Sequence, residues 1–127
     1  MVNFSAYERF DQGEEALLAL LESSDVPVVL AVTVPDAPSC RTASDVLQQA
    51  SKNIEGRARI VHVDAAQCPK LLRQHQVGTV PALLALDNGG LVAQHVGVLE
   101  PGDVIHVLGL DIWREAETET GGIAGLR

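Results

Sequence analysis

Basic residues are scarce. Lys and Arg number 9 against 17 Asp and Glu, and nowhere in the 127 residues do they gather into a cluster. A net charge of −8 argues against nucleic acid or an anionic membrane as partner, because both are held chiefly through Lys and Arg. Two cysteines in a chain this long make no disulfide framework, and no cleavable N-terminal pattern is present, so a reducing cytoplasm is the expected setting. The longest apolar run is about half the ~20 residues a membrane helix needs. His62, His75, His95 and His106 are scattered over different predicted elements, without the H-x-x-x-H or carboxylate spacing that presets a metal site. No metal or cofactor is expected. G-x-x-x-x-G-K, G-x-G-x-x-G and G-x-S-x-G are also missing, which removes phosphate cradles and the serine-hydrolase elbow. There are no internal repeats.

What the chain does have is enough apolar material, 46% of residues, for one ordinary domain with a real core. Its centre is Val28 to Arg41. Val28 to Val34 is a continuous, mostly β-branched run, which suits a strand buried on both faces. Pro35-Asp36 breaks it, Asp36 is placed to cap, and Pro38 suits a first helical turn, so a helix is predicted from about Pro38 to Asn53. Cys40 then lies near a helix start, where free N–H groups and a partial positive charge stabilise a thiolate. Cys40 also falls on the stripe Cys40, Ala43, Val46, Leu47, Ala50, and on that reading it is a small buried hydrophobe. Both readings stand at this point.

Before the centre, Phe4, Ala6 and Phe10 alternate, compatible with a short first strand within Met1 to Phe10. Asp11 and Glu14 read as a capping box for a helix carrying Ala16, Leu17, Leu20 and Leu21 and ending near Ser23-Ser24-Asp25. After the centre, Glu55-Gly56 turns into a strand from Ala58 to Asp64, and Gln67-Cys68-Pro69 opens a third helix with Leu71, Leu72 and Val77. Cys68 is expected in a loop or helix start, more exposed than Cys40. Gly78-Thr79-Val80-Pro81 leads into a strand over Ala82 to Leu86. Asp87-Asn88-Gly89-Gly90 is a strong hairpin turn to a fifth strand, Leu91 to Val96. A fourth helix follows Glu100-Pro101, with Val104, Ile105, Val107 and Leu108 inward. Residues 1–110 thus form one α/β domain, a mixed central sheet of four to five strands flanked by about four helices, with right-handed parallel crossovers. Residues 111–127 change composition: Trp113, then Glu115, Glu117 and Glu119 before Gly121-Gly122, which reads as an acidic flexible tail.

The buried strand, tight turn, Ala37-Pro38-Ser39-Cys40 and helix resemble the Cys-x-x-Cys region of the thioredoxin family, with Ala37 at the first cysteine. Counting onward without a gap, Asp64 and Pro69 fall at the family's third strand and third helix, Val80-Pro81 on its cis-proline, and Gly97 on the glycine lining its substrate groove. The resemblance covers about Asp11 to Leu110. It implies the thioredoxin fold and a polypeptide partner, held by strand addition at the Val80-Pro81 turn.

The departures bear on function. The family attacks with the first cysteine, resolves with the second and uses a buried Asp as proton acceptor. Here those positions hold Ala37, Cys40 and Ala31, and Thr33 and Asp36 replace the two tryptophans of the flanking W-x-x-W-C pattern. The resemblance therefore implies negligible turnover as a disulfide oxidoreductase. Two functions follow as expectations. One is a non-catalytic, chaperone-like binding module using Ala37, Pro38, Ser39, Cys40, Val80, Pro81 and Gly97, similar to thioredoxin-like chaperones that lost the first cysteine. The other is a monothiol redox protein forming mixed disulfides through Cys40 or Cys68, released by an external thiol. The family geometry places Cys40 and Cys68 apart, so no bridge between them is expected. Oligomeric state is not encoded in any of these features.

Overall fold

A computed structural model describes residues 6–35, 37–52, 54 and 57–109. The expected Glu55-Gly56 turn, the part of the first strand carrying Phe4, and the tail 111–127 with Trp113 lie outside these residues.

The centre of the molecule is β2, Val28–Thr33, whose six residues are all buried. An uninterrupted β-branched run folds this way because both of its faces are covered. β3, Arg59–Asp64, pairs parallel to it on one side, and the short β1, Tyr7–Arg9, pairs parallel to β3 at the edge. On the other side β4, Ala82–Asp87, runs antiparallel to β2, and β5, Gly90–Val96, closes that edge antiparallel to β4. The sheet order is β1-β3-β2-β4-β5. The β4–β5 hairpin turns through Asn88 and Gly89, both at positive φ, 54° and 84°. That is the type I′ geometry for which Asn-Gly is the preferred pair.

Alternation along the strands divides the core into two layers. Val29, Ala31, Ile60, Leu83 and Ala85 pack under α2, Ala43–Ser51, and α4, Pro101–Val107, through Ala43, Leu47, Ala50, Val104 and Val107. Val28, Leu30, Val32, Val61, Val63, Leu84 and Leu86 pack under α1, Glu14–Ser23, and α3, Pro69–Gln74, through Leu17, Leu21 and Leu71. This is the mixed, helix-flanked sheet of the thioredoxin fold. No helix among the described residues is long and apolar enough to cross a membrane.

Two helix starts differ from expectation. The Asp11–Glu14 capping box does not form: α1 begins after Gly13 with no side-chain cap. Glu14 instead accepts the N–H of Leu71 at 2.7 Å, and Gln67 Oε1 accepts the N–H of Gly13 at 3.1 Å. Of the pair read as a local cap, Glu14 ties α1 to α3 instead. The helix predicted from Pro38 is likewise divided: Pro38–Cys40 is a single 3-10 turn, and α2 starts only at Ala43. Thr42, at φ −96° and ψ 3°, is outside helical geometry and separates the two. A capping box of the expected kind does occur at α4, where Asp103 accepts the N–H of Glu100 at 2.8 Å.

Candidate functional site

The strand registers bring the sequence's candidate residues to one end of the sheet. Thr33, the last residue of β2, lies beside Asp64, the last of β3, while Val32 faces Ala82, the first of β4, and Ala82 faces Val96, the last of β5. Residues 34, 35 and 37–42 of the loop after β2, the Pro81 turn and Gly97 therefore all emerge at that end. Loops at strand termini are where an α/β sheet leaves room for a ligand.

In the loop, Pro38 is exposed, Ala37 half-buried and Cys40 buried, 8% exposed. The Cys40 N–H is used by Ala37 O at 2.9 Å, closing the 3-10 turn. Cys40 thus closes a three-residue 3-10 turn rather than lying in the first turn of a long helix. The alternative, a small buried thiol, fits its environment.

Cys68 is the larger correction. Expected to be the more exposed thiol, it is fully buried, in the layer under α1 and α3. Burial, with the carboxylates of Glu14 and Asp64 adding to it, pushes its pKa up to about 11. At neutral pH it is a protonated, weakly nucleophilic thiol. Pro69 begins α3 immediately after it and the Asp64 carboxylate accepts from Ala66 N–H at 3.1 Å, so this segment turns inward under α1. Both cysteines are free: Cys40 ends the 3-10 turn that precedes α2, and Cys68 lies in the layer under α1 and α3.

The Val80–Pro81 peptide is cis. Pro81 O accepts the N–H of Gly97 at 2.9 Å, joining the two candidate positions in one rim. Gly97 has φ +121°, a conformation that side-chain-bearing residues rarely adopt. The valines on either side of it, Val96 and Val98, are 44% and 61% exposed. Thr79 and Gly78 are exposed beside them.

Beneath this end lies a polar cluster that reading the sequence missed. His62 is buried, 2% exposed, directly across the register from Ala31, the position of the family's proton acceptor. Its Nε2 is 2.8 Å from Thr33 Oγ1, its Nδ1 2.8 Å from the Tyr7 hydroxyl, and that hydroxyl is 3.1 Å from Ser44 Oγ. A neutral imidazole donates from one nitrogen and accepts at the other, and the two hydroxyls supply the complementary roles. Arg9 Nη1 lies 3.2 Å and 3.1 Å from the two ring nitrogens. The Arg9 guanidinium therefore lies against the imidazole ring. Burial first, and the Arg9 charge second, lower the His62 pKa to about 4. The ring is therefore neutral at pH 7. The available signal was one histidine inside the apolar run Ile60-Val61-His62-Val63, but its partners become visible only once the parallel registers are known.

The thioredoxin family profile matches residues 11–108. The chain is 29% identical over 84 residues to thioredoxin C-2 of Corynebacterium nephridii, covering 66% of this chain and 78% of that protein. It is 28% identical over 76 residues to thioredoxin 1 of a Nostoc species, covering 60% and 71%, and 28% identical over 81 residues to a thioredoxin of Haemophilus influenzae, covering 64% and 76%.

Proposed function

The chain belongs to the thioredoxin family, and from that premise we propose that it holds extended polypeptide at the Pro81–Gly97 rim without dithiol chemistry. The observation that carries this reading is the rim itself. Pro81 and Gly97 are hydrogen-bonded together and flanked by exposed Val96 and Val98, although position 37, at the same end of the sheet, carries no nucleophile. Exposed apolar side chains at the end of an edge strand suit an extended chain, which contributes main-chain hydrogen bonds and inserts alternate side chains. The thiols support the same reading. Cys40 is buried within its turn, and Cys68 is buried with its pKa raised, so neither offers an accessible thiolate for a mixed disulfide.

Binding of a reduced, carboxymethylated polypeptide tests this. Val98→Glu places a charge on the rim without touching the core, and it is expected to weaken binding about tenfold with Tm unchanged. Leu18→Glu is the control: Leu18 is an exposed apolar residue of α1, near Leu86 and Gly89 at the far end of the sheet. It should leave binding as it is. Equal weakening by both substitutions would mean general surface stickiness and would remove the rim from the account.

A further inference from the structure

The described part of the loop between β2 and α2, residues 34, 35 and 37–42, makes few backbone hydrogen bonds to the rest of the domain. Among the described residues its backbone hydrogen bonds are local: Cys40 N–H to Ala37 O, Arg41 N–H to Pro38 O, and Val46 N–H of α2 to Thr42 O. Its flanks are a different matter. Thr33 is the last residue before the loop and Ser44 is the second residue of α2 after it. Both side chains join one hydrogen-bonded series, Thr33 Oγ1 to His62 Nε2 and His62 Nδ1 to Tyr7 OH to Ser44 Oγ. Four elements, β1, β2, β3 and α2, contribute one side chain each. His62 sits in the middle, and among the described residues no buried side-chain polar atom lacks a partner.

A fully apolar set would fill this space without the desolvation that a buried imidazole and hydroxyls require. Buried polar groups are best attested where they fix one arrangement among several, and hydrogen bonds do this because they depend on direction. We propose that His62 is the positioning residue of the site loop, clamping its two ends through Thr33 on one side and Tyr7 and Ser44 on the other. The functional meaning of the clamp rests on the reading of the loop as part of the polypeptide site, but its existence does not. When the clamp is intact, Ala37 and Pro38 are presented in a fixed position and Cys40 stays inside the turn. When it is cut, the loop opens while the rest of the domain keeps its packing.

The two buried thiols are built-in reporters. Cys40 belongs to the loop, whereas Cys68 is fully buried in the layer under α1 and α3 and is released only by wider unfolding. The experiment is iodoacetamide labelling of the native protein at pH 8, read cysteine by cysteine by mass spectrometry and requiring no client. Thr33→Val and Tyr7→Phe each remove one hydroxyl at nearly constant volume. Both should speed Cys40 labelling about tenfold while leaving the Cys68 rate unchanged. Thr33→Ser restores the hydroxyl and should return the wild-type Cys40 rate, which a packing role of the threonine methyl would not do. Ser44→Ala, half-buried on the surface of α2, cuts the same series without touching the core and should give the same selectivity, about threefold. Parallel acceleration of both thiols, or no change at Cys40 in any variant, would overturn the clamp. Loss of polypeptide binding in Val98→Glu is independent of that result, so the two proposals fail separately.

Discussion

Ala37→Cys is expected to create disulfide reductase activity where the wild-type chain has none above the uncatalysed thiol background, measured as insulin reduction. Residue 37 is half-buried at the start of the 3-10 turn and Cys40 is buried at its end, with their backbones joined by the Cys40 N–H to Ala37 O hydrogen bond. A thiol introduced at 37 would be the accessible attacker, with Cys40 positioned behind it to resolve. Turnover should nevertheless remain about 10²–10⁴ below that of a relative retaining the proton acceptor, the range a positioned general base contributes. Position 31 is the reason. Ala31 is fully buried between His62 and Leu83 and has no group that takes a proton. Adding Ala31→Asp should recover part of the missing rate, at a stability loss of several kcal/mol for burying a carboxylate beside apolar neighbours. A full rate from Ala37→Cys alone would show that position 31 is unimportant in this chain.

The second large effect is on stability in mild acid. His62 is neutral in the fold with a pKa of about 4, against an ordinary value of 6.5. Between those two values the unfolded chain binds a proton that the folded chain refuses, so stability falls as pH drops through this window. Above about pH 6.5 both states are neutral at this group and the slope vanishes. Below about pH 4 both are protonated and no further loss arises from it. At about 1.4 kcal/mol per pKa unit the full window amounts to about 3 kcal/mol. Urea unfolding of wild type and His62→Gln at pH 7 and pH 4.5 measures it. The wild-type midpoint should fall by roughly 1–2 M more than that of the variant. Equal falls would assign the acid sensitivity to the carboxylates instead.

The fold could be read in the sequence because its signals are local. Val28–Thr33 is a run that only a doubly covered strand explains, Asn88-Gly89 specifies its own turn, and α1, α2 and α4 carry their apolar residues at helical spacing. The chemistry was harder to read because it depends on register. In β3 every interior residue is buried, so periodicity cannot tell which face His62 takes or that Tyr7, Thr33 and Ser44 converge on it. Cys68 misled for a similar reason. A cysteine between Gln67 and Pro69 has the surroundings of a surface turn, and it is the Glu14 and Gln67 ties between α1 and α3 that fold this turn inward. The sequence places Cys40 in the first turn of a helix from Pro38, whereas it ends a separate 3-10 turn, because Arg41-Thr42 interrupts the helix that Pro38 and the apolar stripe suggest.

The central claim is that this thioredoxin-family chain binds polypeptide through its rim and not through a thiol. A thiol-free variant, Cys40→Ser with Cys68→Ala, tests it directly: its affinity for a fluorescent, reduced and carboxymethylated polypeptide is compared with wild type, and affinity for the same polypeptide with free thiols is measured under mild oxidant. The expected result is equal Kd values, within about twofold, and no covalent adduct on the wild-type chain by intact mass. Binding that disappears with the cysteines, or a mixed disulfide on Cys40 accounting for the wild-type complex, would contradict the rim and make this a monothiol redox protein.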